Sequence, residues 1–196
     1  SWSLHVSQLM IGGKIQNYRN ILRRYIRDYG ENEDVNRAIY VLEHAKRDVL
    51  VAQDKTTLIG YEGMASNAYF EVLPVLILNQ KVDFPFYGRN RRPPKDAVNA
   101  MLSFAYTLIA NDVSAALETI GLDPYVGFLH TLRPGRTSLA LDMMEELRAY
   151  LGDRFVLSLI NKRQITAKDF LFQGDNGVVM TDKGNKIFIS AWQGRK

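Results

Sequence analysis

Residues 123–148 read DPYVGFLHTLRPGRTSLALDMMEELR, and the rest of the chain can be interpreted outward from them. An apolar run ends at His130, a basic Pro-Gly loop then reverses the chain, and a helix follows. That helix carries Asp142 and Glu145. One imidazole and several carboxylates therefore surround a single change of chain direction.

The helical spacing defines how these acids are placed. At about 100° per residue, Asp142 and Glu145 lie about 60° apart and one turn apart along the axis, so both can approach one ion. We expect the apolar arc to lie on the other side, formed by Leu139, Ala140, Met143, Met144, Leu147, Tyr150 and Leu151. If the loop folds His130 back towards the acids, imidazole and carboxylate together suit Mn²⁺, or Mg²⁺ when most ligands are oxygen. The alternative for this stretch is a solvated acidic face and a packed histidine.

A second acid has an unusual local setting. Glu62 stands between Gly60 and Gly63 in a stretch that is otherwise helical and apolar. Glycine inside a helix costs about 1 kcal/mol relative to alanine, so two of them indicate close approach by another backbone or by a substrate. The alternative is a tightly packed helix with a glutamate that has a partner inside the protein.

Composition bounds the class of protein. The 196 residues suffice for one sizeable domain, and 46% hydrophobic and 23% charged residues are ordinary for a globular protein. The absence of cysteine excludes disulfides, zinc-thiolate sites and cysteine nucleophiles. No apolar run approaches the ~20 residues that span a bilayer, and the first residues do not resemble a secretory signal. Because no initiator methionine is present, we expect a fragment of a longer chain.

Positive charge is concentrated in two places, on a chain whose formal net charge is +4. Residues 1–27 contain no acid, and their basic side chains are Lys14, Arg19, Arg23, Arg24 and Arg27. Residues 89–95 carry Arg89, Arg91, Arg92 and Lys95, close to Phe84, Phe86 and Tyr87. Arginine suits phosphate and stacks on bases, so we expect the second segment to contact nucleic acid. The alternative for both is a basic surface that is merely solvated.

The hydrophobic spacing predicts a mainly α fold with one short β-hairpin near the C-terminus. We expect helices over residues 5–27, 33–53, 56–73, 96–120 and 154–161, with residues 96–120 the longest and Thr56 or Thr57 capping the third. Asn176-Gly177 predicts a tight turn between strands 170–173 and 178–180. Thr181 is expected to cap a last helix.

Four segments resemble the CRISPR-associated integrase family, the first of the Cas proteins, or Cas-one (Cas1). They are GYEGMASNAYF at 60–70, RNRRPPKDAVNAMLSFAY at 89–106, GLDPYVGFLH at 121–130 and RTSLALDMMEELR at 136–148. The resemblance covers residues 12–190 or so. It implies that Glu62, His130 and Glu145 are the catalytic metal ligands, with Asp142 behind them or as an alternative ligand.

The resemblance also implies an activity and its partners. It indicates a divalent-metal-dependent DNA endonuclease and strand-transfer enzyme that uses Mg²⁺ or Mn²⁺ to insert spacers into a CRISPR array. Its substrates would be double-stranded and branched DNA, gripped at the backbone by the 89–95 cations together with Arg133 and Arg136. It would act in the prokaryotic cytoplasm, without a membrane, as a homodimer with the small Cas-two (Cas2) protein.

One departure from the family pattern bears on the domain organisation. Family members usually carry an N-terminal β-rich domain that mediates dimerisation, and nothing in residues 1–196 matches it. We therefore expect a single helical catalytic domain, cut from a longer chain. From the residues alone, a non-enzymatic helical module that binds DNA or a protein partner is the alternative function.

Overall fold

The computed structural model describes residues 1–131 and 133–195. Its helices are α1 (Trp2–Tyr29), α2 (Glu33–Val51), α3 (Lys55–Val72), α4 (Ala97–Thr119), α5 (Ser138–Leu147), α6 (Arg154–Asn161) and α7 (Asp182–Gln193). Strands β1 (Phe170–Phe172) and β2 (Val178–Met180) form one antiparallel pair. The predicted fold class, mainly α with a short hairpin near the C-terminus, is confirmed.

Helices α1, α2 and α3 pack against one another, and side-chain caps fix where α2 and α3 begin. The Asn32 side chain accepts from Val35 N, 3.1 Å away. The predicted cap of α3 was wrong: the carboxylate of Asp54 accepts from Thr57 N (2.8 Å) and from the Thr57 hydroxyl (2.9 Å). An ionised carboxylate is a stronger acceptor than a hydroxyl for the first backbone amides of a helix. Asp54 therefore caps α3, and the helix begins at Lys55, before Thr56 and Thr57.

Helix α4 lies in the core, but it is shorter than α1, so the prediction that it is the longest was wrong. By length and composition alone α4 could cross a membrane, contrary to the sequence-based expectation. Some of its apolar side chains are buried against the rest of the protein, among them Met101, Ala105 and Ile109. Buried residues make up 44% of the apolar window, so packing accounts for part of this composition.

The apolar arc predicted for α5 is confirmed only in part: Leu139, Ala140 and Met144 are buried. Met143 is 42% exposed, whereas Asp142 and Glu145 are buried. The acids lie on the side that faces the core because each has partners there. Helix α5 continues into a π-helical segment, Arg148–Asp153, before α6 begins. Such segments are rare and are often found at functional sites.

The hairpin occurs where it was predicted, but its turn is longer. Phe172 pairs with Val178, so five residues connect the strands, and a 3₁₀ turn spans Gly174–Asn176. Gly177 has φ 82°, and a Cβ there would lie 2.3 Å from the carbonyl oxygen of Pro94. Val178 N also donates to that oxygen at 2.8 Å. The hairpin is thereby attached to the basic loop. The predicted cap of α7 is confirmed, because the Thr181 side chain accepts from Gly184 N at 3.0 Å.

Candidate metal centre and nucleic-acid surface

The loop that carries His130 is held by Asp142. One carboxylate oxygen accepts from Phe128 N (2.5 Å) and Leu129 N (2.8 Å), and the other accepts from His130 N at 3.0 Å. That second oxygen also lies 2.5 Å from His130 Nδ1. Burial opposes ionisation of Asp142, but these hydrogen bonds outweigh it and hold the pKa of Asp142 below its ordinary value.

The hydrogen bond with Asp142 sets the orientation of the imidazole. With Nδ1–H donated to the carboxylate, the lone pair of His130 is on Nε2. A carboxylate behind a histidine in this way is the usual support of a metal-ligating imidazole. Asp142 therefore contacts the His130 loop and positions the ring.

Gly127 makes the close approach between this loop and α5 possible. A Cβ at residue 127 would lie 2.7 Å from Ser138 Cβ and 2.8 Å from an oxygen of Asp142. Contacts this short do not occur between real side chains, so any larger residue would push the loop away from the helix.

Glu62 and Glu145, which lie on α3 and α5, converge on a single cation. The ammonium of Lys14, on α1, bonds Glu62 Oε1 and also Glu145 Oε2, the latter at 2.7 Å. The other oxygen of Glu145 forms an ion pair with Arg148, 2.8 Å from its Nη2. The structure thus brings two of the three predicted ligands to one point.

The pKa values of this group favour the charged forms. Burial opposes the charge on Lys14, but Coulombic attraction to Tyr18, Glu145 and Glu62 raises the pKa of Lys14 above its ordinary value. Burial would likewise raise the pKa of Glu145, but Lys14 and Arg148 outweigh it and lower that pKa.

These contacts decide which ion the site suits. Within residues 1–131 and 133–195, no three His, Cys, Asp or Glu side chains are grouped as they stand so that they could hold a metal ion. However, Glu62 and Glu145 reach the same cationic nitrogen, and the His130 ring is backed by Asp142. Two carboxylates and one supported imidazole are a donor set that suits Mn²⁺ or Mg²⁺.

Lys14 was not identified from the sequence as a site residue. It was grouped with the basic surface of the first helix, but only 3% of it is exposed. The hydrophobic periodicity of α1 did indicate that Lys14 is buried. Lys14 falls between the buried residues Ile11, Ile15 and Tyr18 at the i, i+3, i+4, i+7 spacing of a core-facing stripe. A charge at such a position needs buried partners of opposite sign.

Gly60 and Gly63 leave open space beside Glu62. A Cβ added at either residue would meet no atom within 4 Å. The first explanation for these glycines, close approach by another backbone of this chain, is therefore wrong for the part of the chain that the structure describes. Approach by a substrate remains a prediction.

A buried cluster lies behind the site. The ring of Tyr106 is flanked by the guanidinium groups of Arg89, 5.3 Å from its centroid, and Arg148, 4.9 Å away. The Tyr106 hydroxyl donates to Asp153 at 2.6 Å. Burial raises the pKa of Asp153 to about 6, although the hydrogen bond from Tyr106 partly opposes this.

We expect the raised pKa of Asp153 to make the free energy of unfolding depend on pH. Because the folded-state pKa of Asp153 exceeds its ordinary value of 3.8, the folded protein binds more protons, and its free energy of unfolding falls as pH rises from about 4 to about 6. Two pH units correspond to about 3 kcal/mol. Asp153→Asn, which cannot ionise, should lack this contribution in denaturant titrations over that range.

The difference between the two proteins is the quantity to measure, because carboxyls whose pKa is lowered, such as Asp142, contribute the opposite slope. Asp182→Asn, at an exposed position, serves as the control. Parallel curves for Asp153→Asn and the parent protein would contradict the assignment.

The predicted DNA-binding residues occupy different settings. Arg91, Arg92, Lys95 and Arg133 are exposed, and Arg136 is half-buried. Arg89 is also half-buried, and its guanidinium donates to Asn99 (2.7 Å) and Ser103 (3.1 Å). Buried Asn99 in turn accepts from Asn90 N at 3.0 Å, which fixes the start of the basic loop on α4.

The aromatic part of the basic segment differs from the prediction. Phe84 and Phe86 belong to the hydrophobic core and cannot stack on bases. They are buried because the segment passes over α3 and the hairpin, where Phe84 meets Phe170 and Phe86 meets Phe70. Tyr87, at 94% exposure, is the aromatic side chain of this set that faces solvent.

Comparisons with known proteins show which family the chain is similar to. The family described as CRISPR associated protein Cas1 matches residues 1–194. A CRISPR-associated endonuclease Cas1 of Chlorobaculum tepidum is 48% identical over 194 residues, which are 97% of this chain and 57% of that protein. One from Leptospira interrogans is 42% identical over 98% of this chain and 77% of that protein.

A solved structure has the same fold. It is titled a partial Cas6-RT-Cas1–Cas2 complex, and it superposes with a TM-score of 0.87 and 25% identity, over 98% of this chain and 57% of the matched chain. The chain spans little more than half the length of the first of these relatives. From the match over nearly its whole length, the chain belongs to the Cas1 family of CRISPR-associated proteins.

Proposed function

We propose that this chain carries the catalytic site of a divalent-metal-dependent DNA endonuclease and integrase of CRISPR adaptation, which inserts new spacer DNA into an array by strand transfer. The observation that carries the proposal is the convergence of Glu62 and Glu145 on one cationic nitrogen. One helical turn before Glu145 on α5, Asp142 holds the imidazole of His130. Residues 1–196 would form one catalytic domain of a longer protein.

Glu62, Glu145 and Nε2 of His130 are the groups that would hold Mg²⁺ or Mn²⁺. When bound, such an ion would supply Lewis-acid polarisation of a phosphodiester, alignment of the attacking hydroxyl or water and stabilisation of charge on the leaving oxygen. Asp142 bonds Nδ1 of His130, which fixes the ring and leaves Nε2 as the nitrogen that could bind the ion. Arg148 pairs with Oε1 of Glu145, which leaves Oε2 directed at the Lys14 nitrogen that Glu62 also contacts.

The DNA is proposed to lie across the open surface beside Glu62. Gly60 and Gly63 keep side chains away from that surface. Exposed cations would grip phosphates, which supplies affinity and position with little sequence reading. These are Arg91, Arg92, Lys95 and Arg133, with Arg136 at the edge. Arg89 is proposed to act partly by holding the basic loop on α4, because its guanidinium is bonded there.

The assembly is proposed from the relatives. The matched structure contains Cas1 with Cas2, so we propose that the full-length protein binds a Cas2 protein, dimerises and acts in the prokaryotic cytoplasm. Double-stranded and branched DNA are the proposed substrates.

The test is cleavage of a branched DNA duplex in Mn²⁺ by this chain and by His130→Ala. Loss of the imidazole should lower the cleavage rate at least about 100-fold, and chelation should abolish it. His44→Ala is the matched control, because His44 is exposed on α2 and its ring contacts that of Tyr40. Equal rates for the protein and His130→Ala, or cleavage that survives chelation, would refute the site and favour a non-enzymatic DNA- or partner-binding module.

A further inference from the structure

The side chain of Lys14 has a fixed position, which is unusual for a lysine. It lies in the middle of α1, almost fully buried, and its ammonium bonds one oxygen from each of two carboxylates on different helices. Burial of a lysine is unfavourable unless opposite charges meet it. The position therefore belongs to the geometry of the two carboxylates rather than to a basic surface.

The packing of α1 against α5 keeps the ammonium in register with Glu145. Gly13 leaves room for the Glu146 side chain, because a Cβ at residue 13 would lie 2.9 Å from its carboxyl carbon. One turn further along, Asn17 Nδ2 donates to the carbonyl oxygen of Glu146 at 2.8 Å. Both contacts flank Lys14 on the same helix, so the base of its side chain is fixed.

We propose that Lys14 is a built-in counter-ion of the metal site, which holds Glu62 and Glu145 together before the divalent ion binds and is displaced from between them when it binds. This rests on the proposed metal site. Without a cation between them, the carboxylates of Glu62 and Glu145 would repel each other and move apart. The Lys14 ammonium prevents this, so the two proposed metal ligands are held together before the ion binds.

The ammonium of Lys14 would have to leave when a divalent ion binds, because the two are both positive and would occupy the same place. The ammonium and a divalent ion would contact the same two oxygens, and neither tolerates the other at that distance. The four-carbon stem of lysine is flexible, so its end can move while α1 stays packed. The way out lies beside Glu62, whose side chain is 23% exposed compared with 6% for Glu145, and where Gly60 and Gly63 leave open space.

The first test is Mn²⁺ binding by the chain and by Lys14→Met, followed by calorimetry and by thermal unfolding. Without metal, Lys14→Met should unfold at lower temperature than the parent protein. Its affinity for Mn²⁺ should be about 10- to 100-fold higher, because no ammonium has to leave. Lys46→Met is the matched control, since Lys46 is half-buried and bonds Gln16 of α1.

A second measurement needs no variant. Reductive methylation of the parent protein, read by mass spectrometry, should modify Lys14 several times faster in Mn²⁺ than without it, while Lys46 keeps its rate. An unchanged rate at Lys14 would refute displacement even if Lys14→Met does not fold.

The outcomes separate the two proposals. Mn²⁺ binding that is equal or weaker in Lys14→Met refutes the role of Lys14 and leaves the metal site standing. If the parent protein binds no Mn²⁺ by calorimetry, the metal site itself is wrong, and the role of Lys14 is wrong with it.

Discussion

Asp142→Ala is expected to destabilise the protein by about 3–5 kcal/mol and to abolish metal-dependent cleavage. The carboxylate accepts from three consecutive backbone amides and bonds the His130 ring. Each buried donor left without a partner costs about 1–3 kcal/mol, and the costs add only in part. The loop would also lose the contact that orients the His130 imidazole, so this one substitution should lower both the stability of the protein and its cleavage activity.

Denaturant titration and cleavage of branched DNA measure these two effects separately. His130→Ala is the informative comparison, since it keeps the bonds from the backbone amides to Asp142. It should lose cleavage with a much smaller loss of stability. Asp142→Asn, which retains one acceptor oxygen, should be intermediate in stability. A destabilisation below about 1 kcal/mol in Asp142→Ala would show that water replaces the lost contacts.

Glu145→Ala is expected to cost about 3–5 kcal/mol, because it leaves Arg148 and Lys14 buried with one carboxylate fewer. The effect should depend on pH. The folded-state pKa of Glu145 is lowered, so its stabilising contribution is present above its ordinary pKa of 4.5 and is lost as pH falls through the folded-state value. The difference between the two proteins should therefore shrink in acid.

Glu146→Ala is the control on the same helix. Glu146 is exposed, so its removal should change the free energy of unfolding by no more than about 0.5 kcal/mol. Thermal or denaturant unfolding at pH 7 and pH 4 gives the comparison. Equal behaviour of the two variants would mean that the ion pairs of Glu145 contribute nothing to the fold.

The sequence predicted the helices well because a long apolar period reports a buried face directly. The same rule was wrong for part of α5. It assigns acids to solvent, whereas Asp142 and Glu145 are buried because loop amides, Lys14 and Arg148 meet them. Those partners come from other parts of the chain, and a local pattern contains no information about them.

The remaining differences have the same origin. Phe84 and Phe86 read as part of a basic-aromatic surface until the hairpin and α3 are seen to cover them. Lys14 was assigned to the surface by residue type, although its spacing placed it on the core face. Only the resemblance to a family joined Glu62 with His130 and Glu145, because nothing in the spacing of three distant residues requires them to meet.

The bond from Val178 N to the carbonyl oxygen of Pro94 has a consequence for engineering. It couples the shape of the arginine-bearing loop to the last part of the chain, far away in sequence. Variants that exchange or shorten the C-terminal hairpin would therefore alter how Arg91 and Arg92 are presented, even though no residue of the loop itself is changed. Chimeras of related enzymes should keep these two segments from the same parent.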